Sequence, residues 1–370
     1  MSATSITDRN EQRSLPVRMA ARALLSGLAP RVDRRVIESS RPFDRPDMMR
    51  PHQDSSLWAW THYGIFIPRL PGRHRYLNTM TLIGATGSVC FDNDYLAVAD
   101  ARHTSTVFSS TAHAAQRHYR AYDTRTECEF AADGSVLRWG EDLEIAGTYP
   151  NFTLAGRYSG FRVDAEITAT AQASWFVRTP VYDHVSLLAT CRGTLTDADG
   201  SVEFETLCTV EYARCVSPQA LTARPVPECL KLPVDFFTYQ IINLDHRTQL
   251  LLTDVRAAGT TACRMAHLRS LDGDARAYTD VHMEVLDDRP AIDELGRVMR
   301  VPRELRWSVR DGSREIFTLH ASVDSPLRYG HGRGYAGAFT YTGSWRGRAI
   351  DGSGYLEWVD CEPSAAHQFC

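Results

Sequence analysis

Little in this sequence points to a membrane, a disulfide scaffold or a nucleotide. No stretch approaches the roughly 20 apolar residues that a spanning helix needs, and no apolar run follows a basic start at the N-terminus. A cytoplasmic protein without a transmembrane segment is therefore expected. The nine cysteines are an odd number and contain no C-x-x-C pair, which fits neither a disulfide framework nor a zinc ribbon. Reduced, mostly buried thiols are expected instead. A Walker loop, an H-E-x-x-H pair and a G-x-S-x-G elbow are all missing, which removes common nucleotide, metalloprotease and serine-hydrolase signatures. An excess of one charge is missing too. Against 45 acidic residues stand 41 basic ones, spread along the chain to a net charge of −4, so no nucleic-acid footprint or polybasic membrane patch is evident. The histidine spacings of His113 with His118, and of His52 with His62, lack the two-residue interval that aligns ligands on one strand face. No metal or other cofactor is expected.

The 370 residues are comfortable for two domains of roughly 150 residues each. Residues 1 to about 13 are polar and read as a disordered tail. Val17, Ala20, Ala21, Leu24, Leu25 and Leu28 then have helical spacing, giving a short helix that packs on its own protein or on a second subunit of a homodimer. Prolines between Arg41 and Pro51 suggest a tether, which completes an N-terminal region of residues 1–54. Beyond Ser55 helical patterns nearly vanish, and short β-type runs alternate with turn dipeptides such as Asp133-Gly134 and Asp199-Gly200. The four prolines of residues 216–233 interrupt this rhythm. One β domain is expected over residues 55–215 and another over 234–370, each a sandwich or barrel.

Three groups of acid/base residues stand out. Tyr182, Asp183 and His184 lie between an aromatic pair and an apolar strand; an ordinary turn is the competing reading. Glu211 and Tyr212 sit on a strand otherwise made of Leu, Cys, Val and Ala. Desolvation there would raise the Glu211 pKa and keep it protonated as an acid, unless Arg214 or another arginine pairs with it. Asp280, His282 and Glu284 alternate on one strand face, which also describes a polar outer face. Aromatic residues gather in two places. Trp58 and Trp60, two apart and close to His62, could form a wall for an apolar or cationic ligand. Tyr335, Phe339, Tyr341 and Trp345 share one parity near the C-terminus, with glycines filling the gaps, so the question is whether ligand or backbone approaches there. Tyr239, in the run Phe-Phe-Thr-Tyr, is a further candidate for contact with a ligand.

The closing residues Gly343, Trp345, Gly347, Ile350, Gly352, Gly354, Tyr355 and Glu357 form the pattern W-x-G-x-x-I-x-G-x-G-Y-x-E. With two successive β domains and a proline-rich joint, this resembles the two-domain lipocalin-like superfamily of carotenoid 1,2-hydratases, AttH-like proteins and fungal decalin-forming Diels–Alderases. The first domain is similar to an uncharacterised actinobacterial branch. The resemblance implies an all-β fold of two consecutive antiparallel lipocalin-like domains, and an apolar, metal-free pocket between or within them. A cofactor-independent cyclase, hydratase or isomerase acting on a lipophilic isoprenoid, polyene or polyketide is then expected. Its walls would be Trp58, Trp60, His62, Tyr239, His282, Phe339, Tyr341 and Trp345, and its proton donors and acceptors Asp183 with His184 or Glu211 with Tyr212. A non-catalytic carrier of lipid or pigment would use the same cavity without proton transfer, and an assembly role for the N-terminal helix is a third reading.

Overall fold

A computed structural model describes residues 15–91 and 96–362; the expected disordered tail and Cys370 lie outside these residues. The chain forms two large antiparallel sheets. In the first, which has 11 strands, the opening strand Trp60–Ile67 pairs with the last, Gly200–Cys215. Every other neighbour is consecutive in sequence, except at one seam between Arg117–Asp123 and Cys128–Phe130. Arg120 and Tyr122 reach across this seam to Asp142, at 2.8 and 2.6 Å. The second sheet, of 10 strands with Arg328–His331 off its main path, repeats the plan: Val234–Asn243 pairs with the final strand Arg348–Asp360, and its seam lies between Ala275–Tyr278 and Asp280–Ile292. Each sheet is therefore a meander whose end returns beside its start, giving a barrel-like, all-β two-domain fold of the lipocalin-like type. The hairpin at Asp199-Gly200 forms as the dipeptide predicts, with Gly200 at φ +131°. Residues 216–233 join the sheets through two single-turn 3₁₀ segments, Pro218–Leu221 and Glu228–Leu230.

Three layers of apolar side chains hold this arrangement. One fills the first barrel and includes Ile65, Trp139, Leu187 and Tyr212; another fills the second and includes Leu305, Trp307, Phe339 and Leu356. The third lies between the sheets, where Phe66, Met80 and Phe176 of the first meet Phe237, Tyr239 and Tyr355 of the second. Strands at this junction are buried on both faces, so Trp60–Ile67 and Leu77–Gly84 contain no exposed residue. Alternation of apolar and polar residues fades wherever both faces are covered.

Two expectations change. The segment from Arg41 to Pro51 is no free tether: Phe43, Met48 and Met49 are buried in the first core, and the Met49 carbonyl accepts a hydrogen bond from Tyr63. Its apolar residues pack into the first barrel instead of spanning solvent. The C-terminal aromatic ribbon also has a different use. Phe339 lies opposite Gly354 and Tyr341 opposite Gly352. A Cβ on Gly354 would fall 2.5 Å from Phe339 Cζ, and one on Gly352 3.0 Å from the Tyr341 hydroxyl. The rings lie across the glycines of the neighbouring strand and pack on its backbone. Trp345 packs edge-on against Phe317 at 6.4 Å. Gly332, Gly334 and Gly337 have the spacing of a dinucleotide fingerprint but lead into the strand Gly334–Trp345, without the helix N-terminus that would hold a phosphate.

The N-terminal helix begins at Leu15, passes through a π turn at Leu24–Leu28 and ends at Val32. Ala21 is buried, whereas Met19 and Leu24 face solvent. Among the described residues no helix is long and apolar enough to cross a membrane. Among the described residues the eight cysteines are free thiols, five of them buried.

Candidate active site

Between the sheets, strand register brings together residues that are far apart in sequence. Ala213 on Gly200–Cys215 has His62 beside it on one neighbouring strand and His184 on the other. Glu211, two residues earlier, projects from the same face. Its cross-strand neighbours are Gly64 and Ser186, both small, so the carboxylate has room. The His184 Nε2 lies 3.4 Å from Glu211 Oε2. From the second sheet, the Tyr239 hydroxyl donates to Glu211 Oε1 at 2.6 Å. Tyr239 in turn sits opposite Glu357, whose Oε1 accepts a hydrogen bond from Tyr355 at 2.8 Å.

His62, His184, Glu211 and Glu357 line a pocket walled by Trp60, Phe66, Met80, Tyr182 and Phe237. Tyr182 packs edge-on against Trp60 at 5.8 Å, and Phe176 against His184 at 4.8 Å. A water-sized sphere finds a cavity of about 40 Å³, within some 460 Å³ of empty space counting the open mouth. Its depth has room for water, since a cavity needs only about 10–15 Å³ on that measure to take one molecule.

Burial shapes the ionisation of each group. His62 donates from Nδ1 to the Thr81 carbonyl at 2.7 Å, because a carbonyl can only accept; Nε2 therefore keeps its lone pair. Desolvation and the neighbouring His184 lower the His62 pKa to about 4, so this ring is neutral. Burial works to raise the Glu211 pKa, but His184, the Tyr239 hydrogen bond and His62 outweigh it and leave it lowered. Glu357 moves the other way. Burial and the nearby Glu211 charge push it well above the usual carboxylate range, against the hydrogen bond from Tyr355. Glu211 is thus the carboxylate and Glu357 the carboxylic acid, a separation that assigns base and acid in buried pairs. The expectation that Glu211 is the protonated group is corrected here: tyrosine and histidine partners hold its charge. Behind it, the fully buried Arg269 donates to the Ser186 carbonyl at 2.6 Å and to Gln249 Oε1 at 2.7 Å. Burial brings the Arg269 pKa down to about 10, with Tyr239 and Glu211 opposing the fall.

Of the residues predicted from sequence, His184, Glu211, Trp60, His62 and Tyr239 meet at this place. Asp183 and Tyr212 do not, because each is one position from a site residue and so projects from the opposite face. Asp183 is buried against Arg178 and Arg214; Tyr212 donates to the Arg50 carbonyl at 2.8 Å. Trp58 lies outside the pocket, with the Arg214 guanidinium 4.4 Å above its ring. His282 is exposed on the outer face of Asp280–Ile292. Phe339, Tyr341 and Trp345 belong to the interior of the second barrel. Sequence reasoning missed Glu357, Tyr355, Phe176 and Arg269 as site residues. A carboxylate inside the run Tyr-Leu-Glu-Trp-Val is the same signal that singled out Glu211, and it would have found Glu357.

This fold, an all-β pair of barrel-like sheets with a polar cluster buried between them, is shared with several solved structures. Its structure is similar to an AttH-like protein of Nitrosomonas europaea (TM-score 0.58, 13% identity, 87% of this chain and 98% of that one). It is also similar to kievitone hydratase of Nectria haematococca (TM-score 0.55, 11% identity, 86% and 93%) and to CghA, solved with Sch210972 (TM-score 0.51, 10% identity, 84% and 90%). At such identities the likeness concerns the fold. No curated protein matches the sequence. The chain belongs to the family of unknown function DUF6670, whose model matches residues 80–369.

Proposed function

We propose that this protein is a hydratase- or cyclase-type enzyme that acts on a lipophilic isoprenoid, polyene or polyketide whose reacting end enters the pocket between the sheets. One observation carries the reading: two buried carboxyl groups, Glu211 and Glu357, face one aromatic-walled pocket, and each is hydrogen-bonded by its own tyrosine. In the proposed reaction Glu357 gives a proton to an unsaturated carbon. Glu211 with His184 accepts one from the attacking water or from the adjacent carbon. Trp60, Phe66 and Phe237 hold the substrate and shield the cationic character that protonation creates. Hydration and proton-initiated cyclisation share these requirements and differ in whether water or a second double bond meets the cation. The superfamily's hydratase member supports the reading by analogy of fold only.

A carrier of lipid or pigment fits the dimensions less well. An enclosed ligand of drug size needs about 300 Å³ or more, and the cavity is about 40 Å³ deep inside its mouth. The test begins with native mass spectrometry and organic extraction of protein purified from its own host, which supplies a candidate scaffold for a turnover assay. With that assay, Glu357→Gln is expected to lower turnover by about 100-fold or more while leaving affinity nearly intact. Unchanged turnover in Glu357→Gln would remove the acid from the mechanism.

A further inference from the structure

We propose that His62, His184 and Glu211 form a divalent metal site of the two-histidine, one-carboxylate type, suited to a first-row transition ion such as zinc. The proposal rests on the reading of this pocket as the active site, and in it a bound ion takes over from Glu211 with His184 the task of activating the water. One donor atom from each of the three residues lies within 4.8 Å of the others, a spread that small side-chain rotations close to coordination. The donor set of two imidazoles and one carboxylate is that of catalytic zinc sites with an open position. Three features orient it. The Thr81 carbonyl takes the His62 Nδ1 proton, the outer contact that typically fixes a ligating imidazole. Tyr239 occupies Glu211 Oε1, leaving Oε2 on the side of His184. Gly64, opposite Glu211, lets the Phe66 ring and His62 Nε2 approach the strand: an added Cβ would stand 2.5 Å from Phe66 Cε2 and 2.9 Å from His62 Nε2.

Glu357 stands in the same pocket as the three ligands. A bound cation lowers the pKa of its water. In a hydration the metal-bound hydroxide then forms the C–O bond while Glu357 gives its proton to the neighbouring carbon; the proton lost by the water returns to Glu357, and one water adds across the double bond. The expectation of no metal came from spacing along single strands, and it did not consider ligands supplied by three adjacent ones.

The full-length protein, stripped with a chelator, would be titrated with Co²⁺ and then Zn²⁺. One ion per chain is expected, with the visible spectrum of nitrogen- and oxygen-ligated Co²⁺. His62→Gln and His184→Asn should each weaken binding by about 100-fold, and Tyr239→Phe by about 10- to 100-fold. His118→Asn, on the strand Arg117–Asp123 far from these ligands in the sheet order, should bind as the parent does. Should a histidine variant fail to fold, the parent protein with ¹⁵N-labelled histidine provides the second measurement: two imidazoles should shift when Zn²⁺ binds. Absence of stoichiometric binding, a sulfur-to-metal band, or no imidazole shift would overturn the site. The two proposals fail separately. A chelated protein that keeps full turnover, while Glu357→Gln loses it, ends the metal site and leaves the acid. A zinc-binding protein whose Glu357→Gln variant turns over normally does the reverse.

Discussion

The interior of the second barrel and the layer between the barrels are both rich in aromatic rings, yet they serve different ends. Inside the barrel, Phe339 and Tyr341 lie across Gly354 and Gly352 and pack on that strand's backbone. Between the sheets, Phe66, Phe176, Tyr182 and Phe237 surround Glu211, Glu357, His62 and His184, and a water-sized cavity remains. Aromatic rings by themselves therefore indicate burial. Buried carboxyl and imidazole groups distinguish a reaction site, since their desolvation costs stability and is accepted where chemistry needs it. If this contrast is right, substitutions in the barrel interior should affect folding, and substitutions between the sheets should affect turnover.

The largest expected effect lies in the barrel. Phe339→Ala removes a fully buried ring and should cost about 3–5 kcal/mol in stability by chemical denaturation. Its folded fraction should retain the parent's affinity for any ligand recovered from the pocket; loss of affinity at full folding would break the distinction. Glu357→Gln comes next, with turnover down by about 100-fold, equivalent to about 2.7 kcal/mol. Its stability should stay within about 0.5 kcal/mol of the parent, because a neutral amide replaces a neutral acid of similar shape. A large loss of stability there would make Glu357 a structural group. Gly343→Ala follows at about 1–3 kcal/mol of stability. The added Cβ would fall 2.1 Å from the Thr318 carbonyl oxygen, and paired backbone yields little. Pocket properties should be unchanged in that variant, and a denaturation midpoint equal to the parent's would show that the strands can part there.

Much of the fold was legible because turns and closing pattern leave local marks. Asp199-Gly200 predicted its hairpin, and the final glycine-aromatic pattern pointed to the two-domain all-β fold. The site was legible in part. His184 and Glu211 were visible as polar residues inside apolar strands, and Trp60 and His62 as part of an aromatic cluster. What could not be read was register: His62 and His184 are 122 positions apart and meet only because Ala213 lies between them. Facing was equally hidden. Glu211 and Tyr212 are both buried, so alternation gave no hint that one faces the junction and the other the first core. The same ambiguity placed Phe339, Tyr341 and Trp345 on a pocket wall, when their parity equally served an interior.

The smallest predicted effect isolates what burial does to a carboxyl group when cations are at hand. Glu228, half-exposed on the connector between the sheets, accepts from Arg333 at 2.8 and 2.9 Å and from Lys231 at 2.9 Å. Partial burial works to raise its pKa, but Arg333 and Lys231 outweigh it and lower the value to about 2. A lowered folded-state pKa means that the group's contribution is complete above its unfolded value, roughly 4.3. It is lost as pH falls from there toward 2. Because solvent screens so exposed a group, the contribution should be under about 1 kcal/mol. Urea denaturation of the parent and Glu228→Gln should therefore differ at pH 6 and converge near pH 2.5. A difference that persists at low pH would mean that packing of the side chain, and not its charge, makes the contribution. Glu357 has the opposite shift because burial and the neighbouring Glu211 charge raise it against the Tyr355 hydrogen bond. The two glutamates differ in the charge of the groups that set their pKa, and that difference separates a structural tie from a group able to deliver a proton.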